Sequence, residues 1–145
     1  MEIKVVKFTT KEEEPYAQAR KIRTIVFVNE QKVSKEEEFD GLDDDAVHYL
    51  VYFNENIAGT GRRRITKEGH KLERFAVYKN FRGKQIGANL LKAMMQDILP
   101  TEKLIYLNAQ VSAQKFYAKY GFKKEGEIFV EANIEHYKMI YQKKQ

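Results

Sequence analysis

Residues 80–91, NFRGKQIGANLL, constrain the fold more than any other part of the chain. Two glycines and an arginine stand directly ahead of an apolar run with helical spacing, although glycine inside a helix costs about 0.5–1 kcal/mol relative to alanine. The first N–H groups of a helix lack intrahelical partners, and the helix dipole adds roughly half a positive charge at that end. The sequence therefore predicts a strand–turn–helix unit with room for an anion at the start of the helix.

Strand-like and helix-like patterns alternate along the rest of the chain. Apolar residues in alternation predict a strand over Ile3–Phe8, and Thr10 with Glu13 forms a capping-box pattern for a helix that ends near Glu30. The further predicted strands are 47–53, 57–65, 71–78, 104–109 and two runs around 128–130 and 137–141, and the further predicted helices are 86–98 and 113–120. This order predicts an α+β domain around a mixed, mainly antiparallel sheet.

Composition narrows the classes of protein that remain. A chain of 145 residues suits a single domain spanning 1–145. Its net charge of +5 favours an anionic partner, such as a phosphate-bearing cofactor, a nucleic acid or a membrane surface. The absence of cysteine excludes disulfides, thiolate zinc sites and a cysteine nucleophile. The three histidines lie far apart without a metal-ligand spacing, so no metal site is predicted.

The first ten residues, MEIKVVKFTT, are interrupted by charges. They lack the apolar core of about 7–15 residues that a signal peptide needs. No stretch approaches the roughly 18 apolar residues of a membrane span. We therefore expect a cytoplasmic protein without a membrane partner.

A strongly acidic stretch, KEEEFDGLDDD at residues 35–45, follows the first predicted helix. Its charge and its glycine predict a loop, and a charge run of this kind is usually solvated. The alternative is that it draws a cationic amine towards a site. It does not match the spacing of an EF-hand calcium loop.

Residues 74–91, RFAVYKNFRGKQIGANLL, resemble the acetyl-CoA site of the GNAT superfamily of N-acetyltransferases. The signature of that family, Q/R-x-x-G-x-G/A, lies between a strand and a helix. Arg82 matches its first position and Gly87 its last, whereas Gln85 stands where the family usually has glycine. Residues 107–122, LNAQVSAQKFYAKYGF, resemble the second half of the family's cofactor site, and residues 27–52 resemble a bacterial branch of mostly unassigned substrate.

The resemblance implies a GNAT-like fold, in which helices flank a mixed, mainly antiparallel central sheet. It also implies an acyltransferase that moves the acetyl group of acetyl-CoA, its cosubstrate, to a primary amine of a small molecule by direct transfer in a ternary complex. The cofactor would be bound by the strand before the turn, the turn itself and the second motif, that is by Phe75, Ala76, Val77, Arg82, Gly83, Lys84, Gln85, Ile86, Gly87, Ala88, Asn108 and Phe116.

Two side chains are the catalytic candidates. An alkyl ammonium has a pKa near ~10, so a general base would help to make the amine neutral. The resemblance implies Glu73 as that base, and the alternative is a strand carboxylate paired with Arg74 or a neighbouring arginine. It implies Tyr117 as the acid that protonates the CoA thiolate, and the alternative is a core tyrosine.

The tetrahedral intermediate needs a donor for its oxyanion. The resemblance implies a backbone N–H between Phe75 and Val77, on the segment that would also pair with the pantetheine arm. It further implies Arg23, Glu30 and Gln31 as residues of the acceptor side. His48 follows the acidic stretch at a strand start, where it is either near the substrate or structural. We list these four as candidate substrate residues.

Two alternatives to an enzyme remain open. Arg62, Arg63 and Arg64 form a basic strand that a nucleic-acid-binding module would use, although alternation places Arg63 on the opposite face. The second alternative is a protein that binds CoA without catalysing a reaction. We expect a small-molecule amine as partner and no nucleic acid, and a homodimer is left open.

Overall fold

The structure is a computed structural model that describes residues 2–142, with helices flanking a seven-stranded sheet. The strands are β1 (Ile3–Phe8), β2 (Val47–Phe53), β3 (Asn56–Ile65), β4 (Gly69–Val77), β5 (Leu104–Gln110), β6 (Phe122–Glu131) and β7 (Ile134–Tyr141). The α-helices are α1 (Glu13–Arg23), α2 (Lys35–Glu38), α3 (Ile86–Ile98) and α4 (Gln114–Lys119). A π-helical stretch over Thr24–Glu30 continues α1.

The strand order in the sheet is β1-β2-β3-β4-β5-β7-β6. All neighbouring strands are antiparallel except β4 and β5, which are parallel and joined through α3. The predicted α+β class with a mixed, mainly antiparallel sheet is therefore confirmed. The parallel pair lies in the centre of the sheet, and the candidate site is built where its two strands separate.

The two faces of the sheet carry different helices. On one face α3 buries Leu90, Leu91 and Met94, which recur at helical spacing. This helix packs so closely on β3 that a Cβ at Gly61 would stand 2.8 Å from Met94 Cε. On the other face α1 buries Ile22 and its neighbours against the sheet. The sheet therefore separates two apolar clusters, one under each helix.

The start of α1 differs by one residue from the predicted capping pair. The Thr9 N–H donates to the Glu12 carboxylate over 2.8 Å, and the helix begins at Glu13. The Thr10 hydroxyl instead donates to the Asp44 carboxylate over 2.6 Å. Thr10 thus fastens the acidic stretch to the start of α1, which is a contact that local spacing does not reveal.

The prediction of a solvated acidic loop at residues 35–45 holds only in part, since Glu36, Glu37, Asp40, Asp44 and Asp45 are exposed whereas Glu38 and Asp43 are buried. Ser34 caps the short helix α2 by accepting the Glu37 N–H over 3.1 Å, and Asp43–Asp45 form a 3₁₀ turn. Glu38 is only 3% exposed and Asp43 only 8%. Carboxylates are rarely buried unless they are paired, so this acidic segment, residues 35–45, must have cationic partners inside the fold.

Two further findings concern the described residues as a whole. None of their helices is both long enough and apolar enough to cross a membrane. Within the same residues, no group of three or more His, Cys, Asp or Glu side chains is arranged to hold a metal ion.

Candidate active site

The turn between β4 and α3 leaves the start of α3 without a capping side chain. Gly83 adopts a φ of 79°, and no heavy atom lies within 4 Å of the place where its Cβ would stand. The first N–H groups of α3 and the positive end of its dipole therefore remain available for an anion. Phosphate groups are among the anions that such a helix start binds.

Gln85 keeps the backbone geometry of a glycine. It has φ 67° and ψ 20°, in the left-handed region, immediately before α3 begins at Ile86. A non-glycine residue pays about 1–2 kcal/mol for this conformation. The turn thus retains its shape although the residue usual in the family is missing.

Two cations flank this turn. The Arg82 guanidinium donates to the Val77 carbonyl over 3.0 Å and pairs with the Glu30 carboxylate over 2.9 Å. The Lys84 ammonium lies 5.5 Å from the centroid of the Phe53 ring. Glu30, expected on the acceptor side, instead contacts the predicted phosphate turn.

The strands β4 and β5 separate to form a wedge. They pair from Gly69 with Leu104 as far as Leu72 with Leu107, and no pairing continues beyond that point. Both strands nevertheless run on, to Val77 and Gln110 respectively. The backbone groups of the final part of β4 therefore face a gap in the sheet in which an extended ligand can take the place of a strand.

A β-bulge interrupts β4 next to this wedge. Thr60 pairs with Ala76 and Arg62 with Glu73, so that Arg74 and Phe75 together lie opposite Gly61. Arg74 has a φ of 61°. A bulge leaves its extra residue outside the hydrogen-bond ladder and bends the strand. We therefore expect one backbone N–H at the bulge to be released from the sheet beside the cavity.

The wedge opens into a cavity of about 440 Å³. Of the predicted site residues, the cavity brings together Gln31, Glu73, Phe75, Asn108 and Tyr117. Ala76 and Val77 continue from this cavity along β4 towards the turn, residues 82–88. Phe116 bridges the two parts, since its Cζ would lie 3.5 Å from a Cβ at Gly87.

Tyr117 projects from α4 into an aromatic cluster at the cavity. Its ring meets Phe75 edge to face at a centroid distance of 5.6 Å and also contacts Phe116 and Phe122. Within residues 2–142, no hydrogen-bonding or charged side chain acts on its hydroxyl. Burial raises the pKa of the phenol, so the group stays protonated at neutral pH and is free to donate to a ligand.

Glu73 is surrounded by cations. Its carboxylate lies 2.7 Å from Arg62 Nε, 2.6 Å from Arg64 Nε and 3.3 Å from Lys71 Nζ. Burial alone would raise the pKa of Glu73, but these cations outweigh it and lower the pKa. Glu73 is therefore ionised, as a base must be, but poorly basic. The sequence left open that Glu73 is a strand carboxylate paired with a neighbouring arginine. Its contacts agree with this alternative, and the partners are Arg62 and Arg64.

The acidic segment finds its cationic partners in the same network. Arg62 Nη1 contacts Asp43 and Arg62 Nη2 contacts Asp40, each over 2.7 Å. Arg23 binds Glu38 over 2.8 Å and Asp43 over 2.9 Å. Because Arg62 also binds Glu73, this network, formed by four carboxylates and their cations, joins α1 and the acidic segment to β3 and β4.

Arg23, expected on the acceptor side, and His48 do not line the cavity, and the position of His48 agrees with the structural alternative. Both are only 1% exposed. The His48 Nε2–H donates to the Asp43 carbonyl over 2.9 Å, and its ring stacks on Phe8. Burial lowers the pKa of His48, which keeps it neutral. Both side chains therefore support the acidic segment from behind.

The three arginines of the basic strand, Arg62 to Arg64, do not form an exposed basic surface of the kind that binds nucleic acid. Arg62 is 1% exposed and its donors are occupied by carboxylates. Arg64 binds Glu73, whereas Arg63 points to the other face and donates to the Tyr49 hydroxyl over 2.7 Å. The predicted division of the three arginines between two faces is confirmed, and the charge is largely neutralised within the fold.

Sequence reasoning missed several residues of the cavity wall. Gln110 donates to Gln31 over 2.9 Å and joins the end of β5 to the end of the first helical segment. Side chains alternate along β5, so Gln110 lies on the same face as Asn108, and this spacing in the sequence indicates that both residues border the cavity. Arg74 contacts Glu38 and Asp40 over 3.1 Å each, and no local pattern indicates those pairs.

The wedge between β4 and β5, the uncapped start of α3 and the protonated phenol of Tyr117 suit an extended, anionic ligand. Comparison with known proteins specifies the family. A profile of the acetyltransferase (GNAT) domain matches residues 12–143, and the chain belongs to this family. The predicted membership of the GNAT superfamily and the predicted enzyme class are therefore confirmed.

The relatives agree with this assignment. The uncharacterized N-acetyltransferase YjcF of Bacillus subtilis is 38% identical over 133 residues, which cover 90% of this chain and 94% of YjcF. The crystal structure of Escherichia coli ElaA matches with a TM-score of 0.84 and 25% identity, over 97% of this chain and 100% of ElaA. A GNAT acetyltransferase from Elizabethkingia anophelis, solved with acetyl-CoA bound, shares the fold at a TM-score of 0.66 and 21% identity, over 95% of this chain and 94% of that one. These findings are consistent with acetyl-CoA as the cosubstrate.

Proposed function

We propose that the protein transfers the acetyl group of acetyl-CoA to a primary amine of a small molecule, by direct transfer in a ternary complex. The observation that carries the proposal is the continuity of the wedge between β4 and β5 with the uncapped start of α3. Acetyl-CoA carries a diphosphate towards one end and a thioester at the other, so it needs an anion site and an extended groove that are continuous. The lack of cysteine agrees with direct transfer, since no thiol is available to hold the acetyl group.

In this proposal the diphosphate lies against the backbone N–H groups of the turn and of the first residues of α3, from Gly83 to Ala88. Arg82 and Lys84 add positive charge beside it. The pantetheine arm pairs with Phe75, Ala76 and Val77 as an added strand, which is the geometry that an open sheet edge favours. Asn108 faces the arm from β5, and Phe116 borders the helix start.

The chemistry then proceeds by addition and elimination at the thioester carbonyl. The neutral amine attacks the carbonyl carbon, and the oxygen that becomes negative accepts a hydrogen bond from the released N–H of the bulge. The C–S bond breaks, and the CoA sulfur takes the proton of the Tyr117 hydroxyl. Solvent returns a proton to the phenol, and the products are an amide and a free thiol.

The attacking amine must also lose a proton. Glu73 lines the cavity and is ionised, but its three cations lower its pKa and weaken it as a direct acceptor. We therefore propose that Glu73 orients a water molecule that takes the proton from the amine. A direct role would require one of these ion pairs to open first.

The cavity wall supports a cationic acceptor. Glu37 and Glu131 line the cavity, and neither carboxylate pairs with a cation within residues 2–142. Phe27, Val33 and Ile134 provide apolar surface beside them. An amine on a short apolar stem matches this lining better than a sugar or an anionic acceptor does.

A thiol-release assay with acetyl-CoA and a panel of amines, sugars and peptides tests the proposal. We expect thiol release with at least one small amine, and a fall in kcat of about 100-fold or more in Tyr117→Phe, since a positioned acid typically contributes about 10²–10⁴. Tyr120→Phe is the matched control, because Tyr120 belongs to the same aromatic cluster, and it should retain wild-type kcat.

Two outcomes contradict the proposal in different ways. Wild-type kcat in Tyr117→Phe removes the phenol from the acid role. CoA binding without thiol release over the whole panel favours the alternative of a CoA-binding protein without catalytic activity.

A further inference from the structure

The bulge of β4 carries an arginine where glycine would be free of strain. Arg74 adopts a φ of 61° in the interior of a strand. Glycine accepts this conformation without steric cost, whereas another residue pays about 1–2 kcal/mol. Strain of this kind persists where the surrounding structure fixes it, and it concentrates at functional sites. The side chain of Arg74 should therefore contribute something that glycine cannot.

The contacts of that side chain show what it contributes. Its guanidinium lies 3.1 Å from the Glu38 carboxylate and 3.1 Å from the Asp40 carboxylate, and it donates to the Glu37 carbonyl over 3.3 Å. All three partners belong to the acidic segment. The bulge is thus tied to a different part of the chain, more than thirty residues away in sequence.

The acidic segment is itself firmly held. Glu38 and Asp40 are fixed from behind by Arg23 and Arg62, both of which are 1% exposed. Removing one partner of such a buried network leaves uncompensated charge and is strongly unfavourable. The segment therefore provides a firm support for Arg74 through its two buried carboxylates, Glu38 and Asp43, and through Asp40.

The backbone of the bulge in turn positions groups at the cavity. Phe75 follows Arg74 directly and packs edge to face on Tyr117 at 5.6 Å. The N–H released by the bulge lies in the same segment. We propose that Arg74 is a positioning residue, whose ion pairs with the acidic segment hold the bulge, and through it Phe75 and the released N–H, in the geometry that acyl transfer requires. The predicted effect on catalysis rests on the proposed function, whereas the tether between Arg74 and the acidic segment does not.

Two substitutions at Arg74 test the tether without imposing backbone strain. Arg74→Asn and Arg74→Gly both tolerate a left-handed backbone, and neither can reach Glu38 or Asp40. We expect the amides of residues 73–76 to exchange with deuterium at least ten-fold faster in both variants, with the exchange of α3 unchanged. Unchanged exchange at residues 73–76 overturns the proposal, whether or not the protein proves to be an acetyltransferase.

Kinetics supply the second readout. In both variants kcat should fall at least ten-fold, while the Kd for CoA measured by calorimetry should rise by a smaller factor, because the phosphate turn is not touched and only the pairing of residues 75–77 with the pantetheine arm is loosened. Arg74→Lys retains a positive charge near the carboxylates and should recover part of the loss. A merely structural role would lower stability without separating kcat from the Kd, and wild-type kcat in Arg74→Asn contradicts the proposal.

Glu55→Asn serves as the matched control. Glu55 also has a positive φ, 73°, but it lies in the turn between β2 and β3, away from the cavity. This variant should change neither the exchange at residues 73–76 nor kcat. If the wild-type protein releases no thiol, the proposed function fails, but deuterium exchange at residues 73–76 still tests the tether. The two failures are therefore distinguished by two different measurements.

Discussion

At the scale of single residues, the site is bordered by two non-glycine residues in left-handed backbone. Gln85 shapes the turn before α3, and Arg74 shapes the bulge of β4. At Gln85 the side chain is exposed. At Arg74 the side chain is anchored to the acidic segment. The two positions therefore carry the same strain in different surroundings.

Gln85→Gly should relieve strain without a loss of function. Loss of the strain should raise the free energy of unfolding in urea, whereas the greater freedom of glycine in the unfolded chain should lower it. We expect a net rise of up to about 1 kcal/mol. The Kd for CoA should stay within two-fold, since the backbone N–H is retained. Gln85→Ala, which keeps a Cβ and therefore the strain, should show no such gain. A lower stability in Gln85→Gly would mean that the glutamine side chain stabilises the turn.

Glu73→Gln should be costly because it removes a charge from the middle of the network. Arg62 and Arg64 would face a neutral amide, and removing one partner of a buried ion pair typically costs about 3–5 kcal/mol. Glutamine retains some hydrogen bonding, so we expect a loss near the lower end, about 3 kcal/mol. Urea unfolding measures it.

The matched control for this variant is Glu68→Gln. Glu68 pairs with Lys138 at the surface, where its side chain is 52% exposed, and the change should stay within about 0.5 kcal/mol. Equal losses in the two variants would contradict the account of Glu73 as the centre of a buried network. A pH–rate profile that is unchanged in Glu73→Gln would remove Glu73 from the proton path as well.

The sequence indicates some site residues and not others for a physical reason. Tyr117, Asn108 and Phe75 lie within short motifs whose spacing reflects one strand or one helix, and the cavity brings them together. Arg23 was misplaced, and the role of His48 was left open, because their partners, Glu38 and Asp43, lie on other elements. A charge in a sequence does not reveal whether it will face water or another charge.

At the scale of elements, the acidic segment is joined to the rest of the fold by ion pairs of Glu38, Asp40 and Asp43. Burial alone would raise the pKa of Asp40, but the hydrogen bond and charge of Arg62 outweigh it and lower the pKa from 3.8 to about 2. A carboxylate whose folded-state pKa lies below its unfolded value stabilises the fold when ionised. This contribution is present above about pH 4 and is lost as the pH falls through about 2.

Asp40→Asn tests that linkage. At pH 6 we expect the variant to be less stable than wild type. The difference should shrink as the pH falls from about 4 to about 2, because the wild-type carboxylate becomes protonated over this range. Urea or thermal unfolding at a series of pH values measures it. A difference that does not depend on pH would contradict an ion-pair role for Asp40.

Element boundaries follow from the sequence where they depend on local signals. The strand at Val47–Phe53 and the helix at Ile86–Ile98 have the predicted bounds, because turn residues and Pro100 delimit them. The π-helical stretch Thr24–Glu30 and the bulge at Arg74 could not be predicted. Both features depend on the elements that pack against them, and no local residue pattern marks either of them.

At the scale of the whole molecule, the order of elements predicts the class of the fold, while the family resemblance predicts how the strands are arranged. The separation of β4 from β5 arises from pairings between distant segments, since β5 leaves β4 at Leu107 but continues beside β7 to Gln110. No local pattern contains that information. A single domain over 1–145 and a cytoplasmic location stay predictions.

The most direct test of the central claim is calorimetric titration of the purified protein with CoA. The account predicts saturable heat with one CoA per chain, together with protection of the amides of residues 83–88 from deuterium exchange. The absence of heat at millimolar CoA, or binding that leaves those amides unprotected, would contradict the diphosphate site at the start of α3 and with it the acetyltransferase mechanism.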